Sequence, residues 1–136
     1  MNIDVAFEHT VTLNDMWNEA LHNVLKHRGG SALVSTIAEN VAPESLLAHL
    51  IRDRHVWFAR EDETLKGFVV VRRQVIEALY VAPRYRRQGV ASALLNALHD
   101  VDLAPVDALA LPGDRGTKSL YESIGWKARL LTMRAG

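Results

Sequence analysis

The segment from Val75 to Leu98 holds the residues best suited to bind an anion. An apolar strand leads into a turn with Pro83, three arginines and Gly89, and a helix begins directly afterwards. The first amides of a helix lack partners within it, so they can donate to a phosphate. The helix dipole favours an anion there by about 0.3 to 1 kcal/mol. A solvated basic turn ahead of an ordinary helix explains the same residues, and on these features alone both interpretations stay open.

This segment resembles the coenzyme-binding motif of the GNAT superfamily of N-acetyltransferases. That motif reads Gln/Arg-x-x-Gly-x-Gly/Ala, and Arg86, Gly89 and Ala91 fit it, after Val81-x-Pro83 and before Leu94-Leu95. The family places the motif after a strand and at the head of a helix, which is the order the sequence predicts.

A second segment, residues 120–126, is similar to the family's Leu-Tyr-Glu-x-x-Gly-Phe, with Trp126 where Phe is usual. Together the two segments cover residues 75–126. One departure is Asp114, which stands where an Asn often begins the final helix. A carboxylate would repel phosphate unless it caps the helix instead.

The resemblance implies acetyl-CoA as co-substrate and no metal. Amides from Gln88 to Ala91 would bind the pyrophosphate, and backbone groups of Leu79 to Val81 would pair with the pantetheine arm like an added strand. An amide near Leu79 or Tyr80 would stabilise the developing oxyanion. The coenzyme-binding residues that it implies are Leu79, Tyr80, Val81, Arg86, Arg87, Gln88, Gly89, Val90, Ala91, Ser92, Asp114 and Tyr121.

Two side chains are candidates for proton transfer. Tyr121 lies where the family usually places the group that protonates the departing thiolate; the alternative is a half-buried aromatic that donates to the backbone. Glu77 is the candidate base, because an amine with a pKa of about 10.4 is neutral in roughly one molecule in 2,500 at pH 7. On a regular strand Glu77 would share a face with Leu79 and Val81. The alternative is an exposed carboxylate paired with Arg72 or Arg73.

Composition limits the remaining function classes. The chain has 136 residues, 16 basic and 16 acidic side chains and no cysteine. We expect a single N-acetyltransferase domain over residues 1–136, without disulfides or a cysteine intermediate. Balanced charge argues against nucleic acid or a membrane as partner. The acidic N-terminus does not resemble a signal peptide, so we expect a cytoplasmic protein. The spacing of the six histidines fits no metal site.

Periodicity predicts a mixed α/β chain. Helices are expected from a Thr12/Asp15 capping box to about Lys26, and from Pro43 to near Arg54, with residues 31–42 ambiguous. A hairpin around Glu61-Asp62-Glu63 and a third strand over residues 75–81 follow. The remaining elements are a helix from Gly89, a strand over residues 106–111, a helix over 118–124 and a last strand over 129–133.

The family resemblance implies a GNAT-like fold of the α/β class, with helices and strands mixed along the chain (α+β). Its central, mostly antiparallel twisted sheet would have about six or seven strands flanked by about four helices. The function it implies is direct acetyl transfer to an unidentified amine in a ternary complex, with homodimerisation an expectation. Two alternatives stay open: a non-catalytic acetyl-CoA-binding sensor or assembly module with the same fold, and an unrelated α/β module.

Overall fold

The computed structural model describes residues 1–101, 103–133 and 135. In this part of the chain, five strands and five α-helices follow one another: β1 (Asn2–Val5), α1 (Val11–Leu25), α2 (Gly30–Ala38), α3 (Leu46–Arg52), β2 (Val56–Glu61), β3 (Thr64–Arg72), β4 (Val75–Val81), α4 (Val90–Asp100), β5 (Asp107–Ala108) and α5 (Arg115–Ser123). Short 3-10 helices at Pro43–Ser45 and Pro83–Tyr85 precede α3 and α4.

The strands form one sheet in the order β1-β2-β3-β4-β5. All neighbours are antiparallel except β4 and β5, which are parallel. The prediction of a mixed, mostly antiparallel sheet is therefore confirmed. Register shifts interrupt the pairing of β2 with β3 and, at Val70/Val71, the pairing of β3 with β4.

Helices cover both faces of the sheet. Trp17 of α1, Leu46 of α3 and the β-strand residues Phe68 and Tyr80 belong to one buried cluster. On the other face, α4 and Tyr121 of α5 pack with alternate residues of the same strands, among them Val69, Leu79 and Val81. Because β3 is covered on both sides, its run from Phe68 to Val71 is apolar throughout and at most 5% exposed.

The N-terminal helices differ from the prediction at their start. Thr10, and not Thr12, caps α1, and its hydroxyl accepts from the Leu13 amide at 3.2 Å. The ambiguous stretch after Gly29 is helical as α2. Gly29 has φ +84°, a left-handed conformation that separates the two helices.

The C-terminal part has fewer strands than predicted. The strand expected over residues 106–111 is reduced to β5, and residues 129–133 are in neither strand nor helix, so the sheet has five strands instead of six or seven. Leu130 is 92% exposed and Met133 81%, so these apolar side chains cover no sheet face in the described structure. Five helices form instead of four because α2 was not predicted. No helix in the described residues is long and apolar enough to cross a membrane.

Candidate active site

The edge of β4 that faces β5 is unpaired over most of its length. The register joins Val75 to Asp107 and Ile76 to Ala108, and the Leu109 amide then donates to the Ile76 carbonyl at 2.9 Å. Beyond that point the two strands separate. The Ala82 amide donates to the Lys66 carbonyl of β3. Because the backbone groups of successive strand residues point to alternate edges, those of Leu79 and Val81 point to the open edge. An extended ligand could pair there as an added strand.

The arginine turn connects this open edge to α4. Arg86 donates from Nε to the Val81 carbonyl at 3.0 Å, and its guanidinium lies 5.8 Å from the centre of the Tyr80 ring. Gln88 is exposed and donates to the Arg84 carbonyl at 3.2 Å. Arg87, also exposed, has φ +62°. The turn therefore fixes Arg86 at the end of β4, while Arg87 and Gln88 lie on the surface.

The start of α4 has free donors. Gly89 precedes the helix with φ +81°, and no heavy atom lies within 4 Å of where its Cβ would be. The Ala93 amide makes the first helical bond, to Gly89. The amides of Val90, Ala91 and Ser92 donate to no acceptor in the described residues. Since the Val90 and Ala91 side chains are buried, this helix end offers backbone donors beside open space.

A cavity of about 310 Å³ lies beside the open edge of β4. We call it the polar cavity. Leu79, Tyr80, Val81, Arg86 and Asp114, all predicted site residues, lie on its wall. The rest of the wall is Asn23, Lys26, His27, Gly113, Arg115, Gly116, Thr117 and Leu120. Three permanent cations, Lys26, Arg86 and Arg115, line the cavity against the single carboxylate of Asp114, and this excess of positive charge suits an anionic ligand.

Asp114 is committed to the helix start. Its carboxylate accepts from the Thr117 amide at 3.1 Å and from the Thr117 hydroxyl at 2.7 Å, and the residue is 5% exposed. His27 Nε2 of the α1 end lies 3.8 Å from Asp114 Oδ1. The carboxylate therefore caps α5, which is the condition under which the sequence allowed an acid at this position.

The sequence analysis missed the residues that α1 contributes. Asn23, Lys26 and His27 line the polar cavity. Asn23 lies in the last turn of α1, and Lys26 and His27 follow directly after the helix ends. These polar residues beside the apolar face of α1 are a pattern that the sequence does show. Nothing in the sequence, however, places them against α5.

Tyr121 is on α5 but is buried on the α4 side of the sheet. It is 6% exposed and its ring stacks on Trp126 at 5.9 Å between centres. Its hydroxyl is buried and has no hydrogen-bond partner in the described structure. Burial, with a smaller effect from Asp114, raises the pKa of this phenol well above its usual value of 10. An unpartnered buried donor costs free energy unless a ligand supplies its acceptor.

Glu77 lies on the opposite face from the one predicted. The register shift at Val70/Val71 breaks the alternation of β4, so Glu77 does not share a face with Leu79 and Val81. Its carboxylate accepts two hydrogen bonds from Arg72, whose guanidinium also donates to the Ile37 carbonyl of α2 at 2.6 Å. The expected alternative of a pair with Arg72 is confirmed, but the pair is buried: the two side chains are 12% and 11% exposed.

A family model described as an acetyltransferase (GNAT) domain matches residues 13–132, most of the chain. The chain belongs to the GNAT acetyltransferase family. The prediction of an acetyltransferase of this family is thereby confirmed, and acetyl-CoA is the co-substrate that membership of the family implies. No curated protein sequence matches the chain significantly.

Solved structures support the GNAT fold. The apo aminoglycoside 6'-N-acetyltransferase AAC(6')-Ig of Acinetobacter haemolyticus is 16% identical, with TM-score 0.61 over 100% of this chain and 97% of its own. A ribosomal-protein-alanine N-acetyltransferase of Brucella melitensis is 23% identical, with TM-score 0.54 over 100% and 99%. AAC(6')-Iy in complex with CoA is 15% identical, with TM-score 0.57 over 99% of both chains. At these identities the likeness shows the fold alone.

A second, apolar cavity of this GNAT domain adjoins the polar one. It has a volume of about 70 Å³ and lies between the sheet and α1 and α2. Both cavities share five lining residues: Asn23, Leu79, Tyr80, Asp114 and Thr117. We call this shared region the junction. In the described residues, no group of three or more potential metal ligands is present.

The chain's own residues fit acetyl-CoA. The open edge of β4 offers pantetheine a strand to pair with, and the free amides of α4 offer the pyrophosphate donors. The buried Tyr121 hydroxyl lacks an acceptor. A coenzyme of this shape and charge would complete the open edge and the free amides, whereas Tyr121 lines neither cavity.

Proposed function

We propose that the protein transfers an acetyl group from acetyl-CoA directly to a primary amine in a ternary complex. The observation that carries this proposal is the juxtaposition of the open β4 edge, the free amides of α4 and the junction between the two cavities. A ligand that pairs along β4 from the α4 end reaches the junction with its far end. With no cysteine in the chain, no acyl-cysteine intermediate can form.

In the proposed step the amine nitrogen forms a bond to the acetyl carbonyl carbon, and the bond from that carbon to sulfur breaks. The nitrogen loses a proton and the sulfur gains one. We assign Tyr121 as the donor to sulfur, supported by its unpartnered hydroxyl and raised pKa. The Leu79 amide, which points to the open edge, would stabilise the charge on the carbonyl oxygen, whereas the Tyr80 amide faces β3.

We assign the carboxylate of Glu77 to the amine side of the reaction. It lines the apolar cavity close to the junction, although Arg72 occupies part of its hydrogen-bonding capacity. His27 is a second candidate acceptor for the proton, because it lies on the polar cavity with Nε2 3.8 Å from Asp114. A carboxylate or imidazole at either place removes the proton that blocks attack by an ammonium group.

The remaining coenzyme contacts complete the proposal. Gln88 to Ala91 would bind the pyrophosphate, with Arg86, Arg87 and Ser92 beside it and Asp114 acting through its cap of α5. We place this single domain of residues 1–136 in the cytoplasm, a location that the lack of cysteine allows. Its pairing into a homodimer stays a prediction.

Calorimetric titration with acetyl-CoA, combined with thiol release in the presence of amines, tests the proposal. Binding followed by amine-dependent thiol release supports it, and initial-rate lines that intersect support a ternary complex. Parallel lines would contradict direct transfer. Binding without release by any amine would favour a sensor instead.

Gly89→Glu tests the coenzyme site, because it puts a carboxylate at the α4 amides. We expect acetyl-CoA affinity to fall at least about 100-fold, as charge repulsion and blocked donors act together. Gly125→Glu is the matched control: Gly125 also has positive φ, +91°, with no heavy atom within 4 Å of its Cβ position. It places a similar backbone strain just after α5 and not at the α4 amides. Equal affinities for the two folded variants would refute the site.

A further inference from the structure

The apolar cavity has a wall that indicates the chemistry of its occupant. Trp17, Phe68 and Tyr80 form an aromatic series along it, with ring centres 5.7 and 6.1 Å apart. The remaining wall is largely aliphatic, from α1, α2, the start of α3 and the segment after β5: Ala20, Leu21, Val24, Leu33, Val34, Ile37, Leu46, Leu109 and Leu111. Burying an apolar group against such a surface is favourable, whereas a hydrated group would lose its water and find few hydrogen-bond partners there.

Charge on the wall limits the occupant to a single cation. Glu77 and Asp114 are the acidic residues among those that line the cavity. Arg72 already pairs with Glu77, and Thr117 and His27 lie against Asp114. A polycation would leave its further ammonium groups beside apolar side chains, which is unfavourable because a buried unpaired charge loses its hydration without a counter-charge. A monoamine needs one acceptor at the junction and no others.

Volume limits the size of the occupant. A cavity of about 70 Å³, at about 10 to 15 Å³ for each water-sized group, holds roughly five to seven heavy atoms. That number fits a phenyl ring or a branched alkyl chain. Because the cavity opens at the junction, the atom attached to such a group would lie where the acetyl carbonyl is expected.

We propose that the acceptor is an apolar primary monoamine whose aryl or branched-alkyl group fills this cavity while its nitrogen lies at the junction. This inference rests on the proposed acetyl transfer. It assigns the cavity to the acceptor in preference to a longer acyl group of the donor, because the carboxylates of Glu77 and Asp114 can each accept a further hydrogen bond from an amine, and an acyl chain has no donor.

The test compares amines at fixed, saturating acetyl-CoA, with thiol release as the readout and calorimetry as a separate measure of coenzyme binding. We expect kcat/KM for 2-phenylethylamine and isoamylamine to exceed that for spermidine and for kanamycin by at least about tenfold. Ala20→Phe and Val34→Phe, on two different helices, fill the cavity. We expect each to lower kcat/KM for 2-phenylethylamine by about 10- to 200-fold while acetyl-CoA affinity is retained. Ala48→Phe on the exposed side of α3 is the control and should leave it unchanged.

The outcomes separate the inference from the function on which it rests. Preference for a polycation, full activity of both filled variants, or no amine turnover despite bound coenzyme overturns the inference. Faster transfer of hexanoyl than acetyl groups, abolished by Ala20→Phe, overturns it as well, because the acyl chain then occupies the cavity. Absence of acetyl-CoA binding by the wild-type protein overturns the proposed function itself.

Discussion

The buried ion pair between Arg72 and Glu77 makes a quantitative prediction for Glu77→Gln. The substitution keeps the shape and one acceptor but leaves the Arg72 guanidinium, 12% exposed, without its counter-charge. Removing one partner of a fully buried pair costs about 3 to 5 kcal/mol. Because both side chains keep some solvent contact, we expect a loss of about 2 to 3 kcal/mol.

That loss of stability corresponds to a decrease in the melting temperature. At about 2.1 cal/mol/K per residue, 136 residues have an unfolding entropy of about 290 cal/mol/K. A loss of 2 to 3 kcal/mol therefore lowers Tm by about 7 to 10 °C, which calorimetry or urea unfolding can measure.

Glu39→Gln is the matched control for this prediction. Glu39 also lies near Arg72, at 3.7 Å, and pairs with Arg73 at 2.7 Å, but its side chain is 46% exposed. We expect its Tm to stay within about 2 °C of wild type, because surface pairs contribute little. A Glu77→Gln protein as stable as Glu39→Gln would refute the buried pair and the reasoning built on it.

Glu77→Gln also separates stability from chemistry. If Glu77 takes the amine proton, kcat at a temperature well below Tm should fall by about 100-fold or more and rise with pH as the free amine is populated. Unchanged kcat in a destabilised variant would leave Glu77 a structural residue that fixes β4 to α2, and would leave His27 as the candidate proton acceptor.

Three further predictions concern the helix cap, the buried phenol and the half-buried imidazole of His55. Asp114→Ala should lower the free energy of unfolding by about 1 to 2 kcal/mol by removing the cap of α5, whereas Asp114→Asn should retain most of it; urea unfolding that ranks the two variants equally would refute the capping role. Tyr121→Phe should lower kcat about 100-fold with unchanged acetyl-CoA affinity. In the free protein it should leave the free energy of unfolding unchanged or raise it by up to about 1 kcal/mol, since an unpartnered hydroxyl is removed. Since burial raises the pKa of Tyr121, deprotonation of this phenol should not lower the wild-type rate between about pH 6 and 9. Equal rates of the wild type and the variant across that range would contradict the role assigned to Tyr121. Burial, followed by the charge of Arg72, lowers the pKa of His55 below its unfolded value of 6.5, so its contribution to stability is complete above that pH and is lost as the pH falls. The urea midpoint should therefore drop more between pH 7.5 and 5.5 in the wild type than in His55→Gln, and identical drops would contradict this.

Local pattern was sufficient for the central part of the chain. The alternation that ends at Pro83, the arginine turn and the apolar stripe of α4 depend on contacts between near neighbours, so the strand, the turn and the helix start were predictable from residue order. The coenzyme motif lies within the same stretch, and for that reason the family and co-substrate could be identified without a structure.

The tertiary structure decided what depends on distant segments. The bulge at Glu77 reflects how β3 pairs with β4, and it turned a predicted neighbour of Leu79 into the partner of Arg72, which bonds to α2. The polar cavity brings the end of α1 to the start of α5, about 90 residues apart, through His27 and Asp114. Periodicity reports which face of a helix is buried and not what it is buried against. The two cavities, their junction and the size of the acceptor that could fit therefore emerge only when the helices are packed on the sheet.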